Sequence, residues 1–133
     1  MPIKKFYEFM KDRWTKSSPS VQAPQNDYTQ FLLTYNDLLV GILTAEKGKW
    51  QFAYSEEFKK NNELRPIVEF ADVNKIYENQ ELWQFFASRI PSFEQAEIEA
   101  IIQRENINGT DAVSLLKRFG RRTINNPFEL KAT

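Results

Sequence analysis

The run Gln30-Phe-Leu-Leu-Thr-Tyr35-Asn-Asp-Leu38-Leu-Val-Gly41-Ile-Leu-Thr44, continued by Lys47-Gly-Lys-Trp50-Gln-Phe-Ala-Tyr54, sets the architecture of this chain. Phe31, Leu33 and Tyr35 alternate with Gln30, Leu32 and Thr34. A period of two places each set on one face of a strand. Asn36-Asp37 is a two-residue hairpin turn, because both side chains tolerate φ > 0. The return strand is Leu38–Thr44, and Gly41 inside it marks a bulge or a close backbone approach. Lys47-Gly48 forms the next turn. Trp50, Phe52 and Tyr54 then alternate with Gln51 and Ala53, which makes a third strand with one aromatic face. The three strands form an antiparallel meander.

Upstream, residues 15–27 (TKSSPSVQAPQND) lack periodicity and are rich in Ser, Pro, Gln and Asn, the composition of a linker. Before it, Ile3, Phe6, Tyr7, Met10 and Trp14 recur at helical spacing, so residues 1–14 read as an amphipathic helix that docks in cis or on a partner. The expected organisation is therefore an N-terminal helix and linker over 1–27 and a compact domain over 28–133.

Downstream the elements shorten. Ser55 caps a helical turn over Ser55–Asn62. Pro66–Ala71 reads as a strand beginning at a proline, and Val73–Tyr77 as a further extended piece. Glu81–Ser88 reads as a short helix that Arg89-Ile90-Pro91 stops. Ser92 and Gln95 fit a capping box opening a helix whose apolar stripe is Ile98, Ile101 and Ile102. Asn108-Gly109 ends it. Thr110 is the expected cap of a last helix with Ala112, Leu115, Leu116 and Phe119 on one face, and Gly120 fits the following position, where φ > 0 is common. Phe128–Lys131 is a final strand that rejoins the sheet. An antiparallel sheet followed by two or three packed helices is an α+β fold.

Composition narrows the function. The chain has 133 residues, 41% of them hydrophobic and 14% aromatic, enough for one sound core. Lys plus Arg (18) equal Asp plus Glu (18), so no net basic field gathers nucleic acid. Cys and His are both absent. That removes Cys or His nucleophiles, imidazole bases, thiolate metal sites and disulfides. The four glycines, Gly41, Gly48, Gly109 and Gly120, are dispersed, so no phosphate-cradling loop exists. No kinase catalytic-loop pattern appears either. Carboxylate pairs such as Glu56-Glu57 read as solvated surface. No enzyme, metal or cofactor is expected. The charged N-terminus lacks the apolar core of an export signal, and no run approaches the roughly 20 apolar residues of a membrane span. A soluble, cytoplasmic protein is the expectation.

Two surface features remain. Lys117, Arg118, Arg121 and Arg122 form a basic cluster suited either to the negative end of the last helix or to a few phosphate contacts by Arg118, Arg121 and Arg122. The tract Glu81-Leu-Trp-Gln-Phe-Phe-Ala-Ser-Arg-Ile-Pro-Ser92 is dense in aromatics. It is either core or a core with one projecting anchor, and Trp83 is the candidate anchor, because Trp buries a large area with few rotors.

At this tract the chain resembles the small N-terminal subdomain of HipA-type serine/threonine kinase toxins. The likeness rests on Val40-Gly41-Ile42-Leu43 in the meander and on the aromatic strand and turn Trp50–Phe58. It continues in Phe85-Phe86 followed by Ile90-Pro91, then Asp111, Leu115-Leu116 and Gly120-Arg121. It spans residues 28–131 and leaves 1–27 without a counterpart. The kinase toxins continue into a phosphate loop and catalytic core that this chain lacks. A free-standing copy of the subdomain resembles the HipS-like antitoxins of three-component HipBST systems. The resemblance implies a non-catalytic antitoxin that binds and neutralises a HipT-like kinase, with a HipB-like DNA-binding protein completing the complex. The aromatic tract makes Trp83 the expected inserted group, supported by Phe85, Phe86, Arg89 and Ile90. The competing expectation is an accessory or structural subunit of a DNA-bound repressor complex, in which the Arg118–Arg122 cluster would matter.

Overall fold

The computed structural model describes residues 28–123 and 127–133. The expected N-terminal helix and linker lie outside the described residues. Among these, a five-stranded antiparallel sheet is joined by four α-helices. Strand β1 (Thr29–Tyr35) turns at Asn36-Asp37 into β2 (Leu38–Glu46), which turns at Lys47-Gly48 into β3 (Lys49–Tyr54). Helix α1 (Glu56–Lys60) follows, then a 3-10 turn (Val68–Phe70) and the short strand β4 (Tyr77–Asn79). Helices α2 (Gln84–Ala87), α3 (Ala96–Arg104) and α4 (Ala112–Phe119) precede β5 (Phe128–Ala132). The strand order is β4-β3-β2-β1-β5, so the returning C-terminal strand pairs with the first. The α+β fold read from the sequence is the fold observed.

Both hairpin turns use left-handed residues. Asn36 has φ 53°, and Lys47 and Gly48 have φ 52° and 75°. Positive φ at the turn matches the right-handed twist of the paired strands. Gly41 meets both sequence expectations. The register slips where Leu33 faces Gly41 and Thr34 faces Leu39, which leaves Val40 as the extra residue of a bulge. A Cβ on Gly41 would lie 2.5 Å from Phe52 Cζ, so the aromatic ring rests directly on the glycine backbone.

The inner sheet face carries Phe31, Leu33, Leu43, Ala45, Trp50, Phe52, Tyr54 and Leu130, all buried. Onto it pack Phe70, Leu82, Phe86, Ile90, Phe93 and Ile102 with Ala112, Val113, Leu115 and Leu116, in one continuous core. The aromatic payload reaches its energy here, since burying each large ring is worth about 2 to 3 kcal/mol. The other face presents Gln30, Leu32, Thr34, Ile42, Thr44 and Gln51, all half-buried. One wet and one packed face explains the period-two pattern. No helix among the described residues is long and apolar enough to cross a membrane.

Several local expectations change. Pro66–Ala71 is not a strand; it contains the 3-10 turn, closed by Phe70 N donating to Ile67 O at 2.8 Å. The Val73–Tyr77 piece is mostly a turn built on Asp72, whose carboxylate accepts from Asn74 N at 2.9 Å, and pairing begins only at Tyr77. The helix expected from Ser92 starts at Ala96 with Gln95 as its cap; Ser92 Oγ instead accepts from Glu94 N at 3.1 Å in a local turn. Asp111, not Thr110, caps α4 by accepting from Val113 N at 3.0 Å, while Thr110 donates its hydroxyl to Asn108 Oδ1. Gly120 has φ −84°, a right-handed end rather than a left-handed one. Ser55 caps α1 as expected, accepting from Phe58 N at 3.0 Å and donating to Leu39 O.

Candidate partner-binding surface

Four residues from β3 and the connections around β4 build a small scaffold at one end of the sheet. Tyr54, the last residue of β3, sends its hydroxyl into the 3-10 turn. It donates to Phe70 O at 2.6 Å and accepts from Ile67 N at 2.9 Å. Burial pushes its pKa up to about 12, with the Ile67 amide opposing that rise. The hydroxyl is therefore protonated and available as a donor at neutral pH. Glu69, next in the turn, places its carboxylate 2.8 Å from Phe85 N and so satisfies one of the amides that the start of α2 leaves open. Phe70 is fully buried and acts as the hub. Its ring meets those of Phe52 at 4.6 Å, Trp83 at 5.0 Å, Tyr77 at 5.1 Å and Phe86 at 6.0 Å.

The aromatic tract divides on this scaffold. Trp83 stands at the N-cap of α2, half-buried, its ring edge-on to Phe70. Phe85 is also half-buried, edge-on to Phe86 and to Phe128 of β5. Phe86 is fully buried. Ile90 and Arg89 are buried as well. Trp83 and Phe85 are thus partly at the surface, while Phe86, Arg89 and Ile90 are buried.

Arg89 deserves its position for a structural reason. Its guanidinium donates from Nη1 to Gly120 O at 3.0 Å and Arg121 O at 3.4 Å, and from Nη2 to Phe128 O at 3.1 Å. It sits over the Phe85 ring at 5.7 Å. Burial pushes its pKa down to about 10, still well above neutrality, so the side chain stays charged. The two nitrogens of the planar fork reach carbonyls on separate segments, whereas a lysine would have to serve them from a single nitrogen. The right-handed Gly120 directs its carbonyl into this fork. Leu130 N also donates to Arg121 O at 2.8 Å, so the residues after α4 cover the outer edge of β5.

The basic cluster meets carboxylates. Arg118 makes a two-pronged contact with Glu105 at 2.7 and 3.0 Å. Arg121 and Arg122 reach the two oxygens of Glu129 at 3.0 and 3.3 Å. The Arg118 hydrogen bond holds the Glu105 carboxyl below its usual range, and the Arg121 hydrogen bond does the same for Glu129. These pairs lie at the surface, with only Glu129 half-buried, and such pairs contribute little to stability. Each phosphate contact by these arginines would compete with a carboxylate already present.

Among the described residues no cluster of three carboxylates converges as a metal site would. A groove of about 240 Å³ lies on the open sheet face, lined by Thr44, Glu46, Lys47, Lys49, Gln51 and Glu78. Its mixed charges point to no ligand class.

Sequence reasoning missed Tyr54 as a tether, Glu69 as a helix cap, and the exposure of Val68 and Ile76. The visible signal was the bracketing of Ile67–Phe70 by Pro66 and Asp72, both turn formers. The alternation of Ile67 and Glu69 with Val68 and Phe70 masked it.

A five-stranded antiparallel sheet with one face covered by helices defines an α+β domain. The chain belongs to the HipA N-terminal domain family: the family model of that description matches residues 32–124, from inside β1 to just beyond α4. A comparison with curated proteins returned no match.

Proposed function

We propose that this protein is a non-catalytic antitoxin that binds and neutralises a HipT-like or HipA-like serine/threonine kinase in the cytoplasm. Membership of the HipA N-terminal domain family supports a HipA-related toxin–antitoxin setting. In this reading residues 28–133 are the binding unit, residues 1–27 are an appendage to it, and a HipB-like DNA-binding protein joins the complex. The observation that carries the reading is Trp83, a half-buried indole at the start of α2, seated against the fully buried ring of Phe70. A large ring held by a rigid base loses little conformational freedom when a partner covers it. Phe85 extends the contact, its ring edge-on to Phe86 and covered by the Arg89 guanidinium, with Ile90 buried nearby in the chain.

Coexpression with a HipT-like kinase tests the proposal, with growth rescue and copurification scored together. The wild-type chain rescues growth and copurifies. Trp83→Ala keeps the fold and weakens the complex by about 2 kcal/mol or more, roughly thirtyfold in Kd. Undiminished protection by that variant would remove Trp83 from the interface. A stable complex without rescue would point instead to a scaffolding subunit.

A further inference from the structure

The strand register fixes what stands on the open face of the sheet. Leu32 of β1 lies opposite Ile42 of β2, and Ile42 lies opposite Ala53 of β3. In the neighbouring row Thr34 lies opposite Leu39. Opposed residues of antiparallel strands share a face. Their chain neighbours Leu33, Val40, Leu43 and Phe52 are fully buried on the other side. Leu38 packs on the core, which turns Leu39 outward. Leu32, Leu39, Ile42 and Ala53 therefore form one apolar patch across three strands, half-buried and facing away from the core. A solvated sheet face ordinarily carries polar residues at such positions. The margins of the patch mix signs. Lys131 and Glu129 stand on the β5 side, and Glu46, Lys47, Lys49 and Glu78 line the groove on the β4 side. Such a margin selects no charged partner, so an occupant must match the apolar side chains.

The chain supplies an occupant of that kind. Tyr28, 57% exposed, donates its hydroxyl to Gln30 Oε1 at 3.0 Å, and Gln30 lies opposite Thr44 on this same face. The Tyr28 side chain therefore reaches onto the open face, next to the point where residues 1–27 join the sheet. The 13 residues over 15–27 can span up to roughly 40 Å, and five strands are roughly 20 Å across. The helix expected over residues 1–14 is about 21 Å long. Its stripe of Ile3, Phe6, Tyr7, Met10 and Trp14 needs an apolar partner, and the inner face of the sheet is already covered by the packed core. A second copy is a poorer match. Two rows roughly 7 Å apart on strands roughly 4.8 Å apart make a patch on the order of 200 Å², against about 800 Å² per partner in a stable interface. A tethered segment needs less area, because its effective concentration is set by the linker and not by the protein in solution.

We infer that residues 1–14 dock in cis on the open face of the sheet, with their apolar stripe over Leu32, Leu39, Ile42 and Ala53. The inference stands apart from the kinase-binding reading above. It makes the N-terminal segment a second layer of the domain.

The chain has no Cys, so a pair of introduced cysteines reports a single contact. The test uses the full chain carrying Met10→Cys, combined in turn with Thr34→Cys, with Thr44→Cys and with Glu97→Cys, the last an exposed position on α3. Under oxidising conditions one of the two threonine positions forms an intramolecular disulfide at least about tenfold faster than the α3 position. Equal rates in all three pairs would overturn the inference. Disulfides formed only between chains would overturn it in favour of a second copy. Trypsin gives a second readout, at Lys11 and Arg13. Phe6→Ser with Met10→Ser leaves the sheet untouched and speeds cleavage there at least about tenfold, and a change of less than about twofold would overturn the inference. Protection that arises only when a HipT-like kinase is added would place the segment on the partner and overturn it as well.

Discussion

Tyr54 illustrates how one hydroxyl selects between two local structures. The segment Pro66–Ala71 has the residues of a strand, and in a strand Ile67 N and Phe70 O would lie about 10 Å apart. Both instead reach the same oxygen, at 2.9 and 2.6 Å, and that is possible only if the chain turns. Tyr54→Phe leaves an amide and a carbonyl without this partner. The expected cost is about 1 to 3 kcal/mol, read as a lower midpoint in urea. The pH dependence carries a sign. The folded-state pKa is raised from 10 to about 12, so below pH 10 the hydroxyl is protonated in both states. Between those values the unfolded chain releases the proton and the folded one keeps it, so stability falls as pH rises. Stability profiles from pH 8 to 12 will fall more steeply for the wild type than for Tyr54→Phe. Trp83 leans on Phe70, whose carbonyl the Tyr54 hydroxyl holds, so if Trp83 is the proposed anchor, Tyr54→Phe also weakens copurification with the kinase.

The strands were legible because their period is short and their turns are local. Asn36 and Gly48 are residue types that accept φ > 0 and take it in their turns, whereas Asp37 does not need it and Lys47 takes φ 52° without being such a type. Gly41 is a further case. Its side-chain-free backbone lets Phe52 lie across β2 at the bulge. Gly41→Ala forces that ring away from the core and is expected to cost roughly 1 to 3 kcal/mol, measured by thermal or urea unfolding. Helix ends were less legible. Ser92 and Asp111 are both good capping types, yet only Asp111 caps its helix. A cap depends on where the chain leaves the preceding turn, and a capping-box pattern does not carry that information. The short helix Gln84–Ala87 draws one of its amide partners from Glu69, 16 residues away, which no local rule anticipates.

Arg89 joins elements that lie far apart in sequence. Its guanidinium joins α4's end to β5 through carbonyls 31 to 39 residues away. Arg89→Ala leaves three carbonyls facing a cavity, and the expected destabilisation is about 3 kcal/mol or more. Arg89→Lys restores the charge but cannot span the three acceptors, so it recovers only part of that loss. Thermal midpoints of the two variants distinguish lost charge from lost geometry. If Phe85 belongs to the proposed interface, each variant also lowers affinity for the kinase, because the Phe85 ring rests beneath the guanidinium.

The sequence by itself determined the α+β class, the meander and its turns, the returning last strand, and the absence of Cys, His and a glycine-rich phosphate loop. Those features depend on neighbours along the chain or on composition alone. It also singled out the tract from Trp83 to Ile90, though not which of its members face outward. Only the tertiary structure divided that tract, burying Phe86, Arg89 and Ile90 and leaving Trp83 and Phe85 at the surface. Only it turned the chain at Ile67–Phe70, burying Phe70 and exposing Val68. The reason is common to both. Burial and turning there are imposed by groups 13 to 39 residues distant — the Tyr54 hydroxyl, the Glu69 carboxylate and the carbonyls around Arg89 — and such contacts exist only once the sheet has formed.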